Sequence, residues 1–126
     1  MPVSPHFRDF VLEQLAPAGR VAPRAMFGGI GLYLDGLFFA LIDDDTLYFK
    51  ADAKTCARYE EAGSRRFCPY PDAPQKAMGY WQVPAEVLED ADDLAAWARE
   101  AVGVALAQAR HRRRRRAGPA RERTRR

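Results

Sequence analysis

No apolar run in this 126-residue sequence approaches the ~20 residues needed to cross a bilayer. The N-terminal stretch MPVSPHFRDF has neither the basic nor the hydrophobic region of a secretion signal. A cytoplasmic protein with no membrane segment is therefore predicted. Cysteine is scarce: Cys56 and Cys68 are too few and too far apart for a disulfide framework or a CxxC site, which predicts free thiols. Histidine is equally scarce, and neither His6 nor His111 has a cysteine or carboxylate at ligand or triad spacing. Paired catalytic carboxylates and an activated nucleophile are not visible either, so no catalytic, metal or cofactor-binding residue is assigned. Asp43-Asp44-Asp45 lacks the spaced oxygens and closing Glu of an EF-hand and reads as a solvated turn. Gly28-Gly29-Ile30-Gly31 precedes a strand rather than a helix, so it does not meet the requirement of a phosphate-binding loop.

What the chain does have is an ordinary globular composition, 48% hydrophobic and 29% charged, in a length that fits one domain. Its net charge of +3 conceals an asymmetry. Residues 1–109 hold 10 Lys and Arg against 16 Asp and Glu, or −6, whereas residues 110–126 hold 10 Arg against 1 Glu, or +9. An acidic folded body at 1–109 followed by a basic, disordered tail at 110–126 is the expected organisation.

The pattern is densest between residues 24 and 50. Leu32, Leu34, Leu37, Phe39 and Leu41 alternate around Asp35-Gly36, a dipeptide suited to a type I′ turn, and Asp43-Asp44-Asp45 offers a second turn before Leu47, Tyr48 and Phe49. An antiparallel meander follows, with a strand at 21–27 ahead of it and the glycines after Met26-Phe27 marking a bulge or a close backbone approach. Ser4-Pro5 predicts the start of a helix that buries Phe7, Phe10, Val11 and Leu15. Asp52 is placed to cap a second helix ending at Gly63. Two short strands flanking a proline-rich loop at 69–74 come next, the latter alternating Met78, Tyr80 and Gln82 with Gly79, Trp81 and Val83. A short helical turn at 85–89 precedes a long helix capped by Asp90, on which Leu94, Trp97, Ala98, Ala101, Val102, Ala105 and Ala109 form the buried stripe. Trp81 and Trp97 are expected to share one core. The fold class is α+β: a two-layer sandwich, antiparallel sheet with helices on one face, in the order helix, three to four strands, helix, two strands, helix.

Arg24, Met26-Phe27-Gly28-Gly29, Gly31, Asp35-Gly36, Phe39-Ala40 and Leu47-Tyr48-Phe49-Lys50, continued by Tyr80-Trp81, Val83-Pro84, Leu88-Glu89-Asp90, Leu94 and Trp97-Ala98, resemble the N-terminal domain of TfoX/Sxy-type proteins. That resemblance implies a non-enzymatic domain of competence regulators, engaging a protein partner of the transcription machinery. Full-length members carry a second, C-terminal domain, for which no room is expected here. The family motif nominates Arg24, Met26, Phe27, Gly28, Gly29 and Lys50 as partner-binding residues; for Arg24 and Lys50, pairing with nearby carboxylates is the competing reading.

Two other functions stay open. Arg112, Arg113, Arg114, Arg115 and Arg116, with the later arginines, can bind nucleic-acid phosphates without reading sequence, or can serve as a solubilising extension. A ligand-binding domain or enzyme assembled from distant residues is the third reading. The aromatics Tyr33, Phe38, Tyr48, Tyr59 and Tyr70 read as a packed or partner-facing surface rather than a base-stacking platform. A monomer or homodimer is expected.

Overall fold

The computed structural model describes residues 3–26, 28–68 and 79–124, with side chains through Arg116. Phe27, the 69–74 loop, Tyr70 and Met78 lie outside the described residues.

Helix α1 (Pro5–Leu15) begins where the sequence places it: the Ser4 hydroxyl accepts a hydrogen bond from Phe7 N at 3.1 Å, and proline occupies the first turn. Val11 and Leu15 are fully buried, Phe7 is half-buried and Phe10 is exposed, so the apolar stripe is narrower than its spacing suggests. A 3-10 turn (Ala16–Ala18) leads into the sheet.

Strands β1 (Val21–Met26), β2 (Gly29–Leu34), β3 (Leu37–Asp43), β4 (Thr46–Lys50) and β5 (Tyr80–Gln82) form one antiparallel sheet in the order β1-β2-β3-β4-β5. Two residues separate β2 from β3 and two separate β3 from β4. Asp35 and Gly36 in the first turn, and Asp44 and Asp45 in the second, all have positive φ, the backbone that matches the twist of paired strands. Asp45 does more than turn the chain: its Oδ1 accepts a hydrogen bond from Ser4 N at 2.7 Å and ties the hairpin to the start of α1.

Of the two readings of the glycines, close backbone approach holds, while the bulge lies elsewhere. Leu32 pairs with Ala40 but Tyr33 pairs with Phe38, which leaves Phe39 unpaired between them. Phe39 and Ala40 are consequently both buried in the core, and the alternation reverses after them. Leu41, placed by simple period-2 reading beside Leu37 and Phe39, instead joins the opposite face. One row across the five strands is Pro23, Leu32, Ala40, Phe49 and Trp81; the neighbouring row on the other face is Arg24, Gly31, Leu41, Tyr48 and Gln82.

The first face is the core. It packs against α1, α3 (Ala85–Leu88) and α4 (Ala91–Thr124), with Leu94, Ala98, Ala101 and Ala105 of α4 buried over Phe39, Ile42, Leu47 and Phe49. Burying each large aliphatic or aromatic side chain contributes about 1.5–3 kcal/mol, and the alanines let the helix approach the sheet closely. Asp90 Oδ1 accepts from Asp92 N and Asp93 N at 3.1 Å, capping α4 as its sequence predicts. The helix then continues through the arginines to Thr124.

Three local expectations are adjusted. Helix α2 (Cys56–Glu61) starts later than residue 53, because Asp52 Oδ1 accepts from Lys54 N and Thr55 N and closes a separate turn before it. The first of the two late strands is an isolated bridge, Arg66 opposite Trp81, held by Phe67 N to Tyr80 O at 2.7 Å and Gln82 N to Arg65 O at 2.9 Å. Trp81 and Trp97 do belong to one core, with the Tyr59 ring centroid 6.3 Å from the first and 5.0 Å from the second, but they are not equally deep in it. Trp81 is buried, whereas Trp97 is half-buried with the Arg58 guanidinium 4.6 Å above its ring.

Candidate functional site

The face of the sheet turned away from the helices gathers the motif cations. Arg24 stands on β1 with its guanidinium 5.5 Å from the centre of the Tyr33 ring. Tyr33 stacks on Phe38 at 5.1 Å, and Phe38 meets Tyr80 at 5.4 Å. The Lys50 ammonium closes the line, 5.5 Å from the Tyr80 ring centre. Cation, three rings and cation thus run across the sheet in one strip. The two cations face aromatic π-clouds, which attract positive charge where the ring is partly desolvated.

Glycine makes the strip possible. A Cβ on Gly31 would lie 2.9 Å from Met26 Cε and 3.1 Å from Phe38 Cε1, and one on Gly29 would lie 2.5 Å from the Ile42 carbonyl oxygen. The glycines of the motif therefore serve close approach. Met26 fills the space this leaves and lines an apolar recess of about 70 Å³ with Phe38, Leu41 and Phe67. Phe67, carried across this face by its bridge to β5, sits 5.0 Å from Tyr48.

At the other end of the strip, where α4 passes the Asp35-Gly36 turn, Lys50 and Tyr80 share a crevice of about 550 Å³ with Gln108 and Arg112. Burial pulls the Lys50 ammonium below its usual pKa, and the nearby Arg112 charge adds to that. Burial likewise pushes the Tyr80 phenol up to about 12, with the Tyr33 ring adding to it and Arg112 opposing. Arg113, Arg114, Arg115 and Arg116 are exposed further along the helix and do not line the crevice.

Of the residues nominated from sequence, Arg24, Met26, Gly29 and Lys50 come together on one face, and Gly28 adopts positive φ in the turn leading onto it. Phe27 lies outside the described residues. The structure adds Tyr33, Phe38 and Tyr80, which sequence reading treated only as general aromatics. The signal available was their parity: each lies an even number of residues from its strand neighbours on the face opposite the core, once the bulge at Phe39 is counted.

A family model described as the TfoX N-terminal domain matches residues 13–105. The chain belongs to the TfoX N-terminal domain family. It is also similar to the DNA transformation protein TfoX1 of Aliivibrio fischeri (strain ATCC 700601 / ES114), at 36% identity over 62 residues. That match spans 49% of this chain and 30% of the relative's length. The strip from Arg24 to Lys50 and Tyr80 lies within the region matched by the TfoX N-terminal domain model.

Proposed function

We propose that this chain is a non-enzymatic, cytoplasmic interaction domain that docks a protein of the transcription machinery in the control of DNA transformation. The observation that carries the reading is the strip itself: Arg24 and Lys50 end a line of contacting rings, with Tyr33 and Phe38 half-exposed, on the sheet face opposite the helix-packed core. Arginine and aromatic residues are the side chains that anchor protein interfaces, and the rings do so with large area at little cost in rotamer freedom. The name of the TfoX1 relative supplies the biological setting. Capture from cell lysate with the full chain, compared with Arg24→Glu, tests it. Enrichment of a transcription component by the parent chain and its loss with the variant supports docking through the strip; equal capture by both contradicts it.

A second reading is favoured by Arg112, Arg113, Arg114, Arg115 and Arg116, all exposed on α4 beyond an acidic body. In this reading they bind nucleic acid through phosphates alone. With about five contacts, log affinity should fall against log salt with a slope near −4 to −5 on duplex DNA, with little sequence preference. Replacing Arg113, Arg114 and Arg115 with Gln should reduce that slope to about −2. A salt-insensitive or sequence-selective interaction contradicts it.

A further inference from the structure

We propose that the crevice between the end of the sheet and α4 is a binding site for a small phosphomonoester, with Lys50 and Arg112 holding the phosphate. The two side chains come from elements distant in sequence, the end of β4 and the sixth turn of α4, yet they line one cavity of about 550 Å³. That volume is within the range of small-molecule sites, about 300–1,000 Å³. Neither cation has a carboxylate within ion-pair distance among the described residues; Arg58 pairs with Glu100 and Arg8 with Asp9 elsewhere. Two like charges are thus held near one another in a protein body whose remaining charge is acidic.

The chemistry of the lining selects the anion. A phosphomonoester is close to dianionic at neutral pH, which matches two cations, and its oxygens suit both the planar fork of Arg and the point charge of Lys. Gln108 adds an amide, and the Tyr80 and Phe38 rings give an apolar wall for the organic part of the ester. Gly36, Gly79 and Ala109 keep the opening free of bulk. Burial first and the Arg112 charge second hold the Lys50 pKa below its usual value, and an anion between the two cations offsets the repulsion.

This site is independent of the docking strip in its test, which uses purified full-length chain and needs no protein partner. Inorganic phosphate is titrated at about pH 8, where it is dianionic, and followed by calorimetry and by the NMR titration of the Lys50 side chain. Saturable binding is expected, weakened about tenfold or more in Lys50→Gln and in Arg112→Gln, kept in Lys50→Arg, and unchanged in Arg113→Gln. Bound phosphate should also move the Lys50 titration to higher pH, which a purely structural role for Lys50 would not produce. A nucleoside 5′-monophosphate should compete better than phosphate alone. Absence of saturable binding, equal binding by both Gln variants and the parent, or equally good competition by an oligonucleotide without a terminal phosphate would each overturn the assignment.

Discussion

Gly29 shows how narrowly single residues are constrained on the outer face. A methyl group there would stand 2.5 Å from the Ile42 carbonyl oxygen, which is backbone and cannot swing aside. Gly29→Ala should cost about 1–3 kcal/mol in urea unfolding, the usual range for overpacking; an unchanged midpoint would mean that β2 and β3 are not paired in this register. Tyr80 gives a pH prediction. An unfolded tyrosine ionises near pH 10, whereas folded Tyr80 holds its proton up to about 12 because it is buried. The raised pKa contributes stability that is complete below pH 10 and lost as pH climbs from about 10 to about 12. Each pH unit of separation is worth about 1.4 kcal/mol, so roughly 2–3 kcal/mol should disappear across that window. Unfolding free energies at about pH 9 and pH 12 should show this fall, and Tyr80→Phe should show less of it; identical pH dependence in both chains would contradict the burial of that phenol.

At the scale of elements, the contrast between the two tryptophans is the sharpest test of packing. Trp81 is 8% exposed on β5, whereas Trp97 lies half-buried on α4 against the edge of Tyr59. Trp81→Ala should therefore cost about 3–5 kcal/mol and Trp97→Ala about half as much; equal losses would contradict this difference in burial. The elements themselves were largely legible. Ser4, Asp35-Gly36, Gly63 and Asp90 each announce a cap or turn through chemistry confined to a few neighbouring residues. The bulge at Phe39 was not legible, because nothing local in LFFALI distinguishes a strand that alternates from one that skips a residue. That omission also concealed which face Leu41 takes. The late strand shortened to a bridge at Arg66 for a related reason, since its partners lie about fifteen residues away. For the site, the motif identified Arg24, Met26, Gly29 and Lys50, but not the rings that join the two cations. Ring contact between Tyr33, Phe38 and Tyr80 depends on cross-strand register, which the sequence expresses only through the fold.

At the scale of the whole molecule, the sheet separates two environments. One face and the helices make the core; the other presents a cation at each end of an aromatic line, and α4 then carries its arginines past the sheet's end. Charge divides as −6 over residues 1–109 and +9 over residues 110–126, and the two regions meet at the crevice, where Lys50 of the strip and Arg112 of α4 line one cavity. We propose the strip as the working surface of this domain in the control of DNA transformation. The most direct measurement is the transformation frequency of a transformable host lacking this chain and complemented with Arg24→Glu, with the exposed Arg20→Glu as control, after equal melting temperatures have been established for both purified variants. The account predicts that Arg20→Glu restores the frequency and Arg24→Glu leaves it near the level of the uncomplemented host. Full restoration by Arg24→Glu would contradict it.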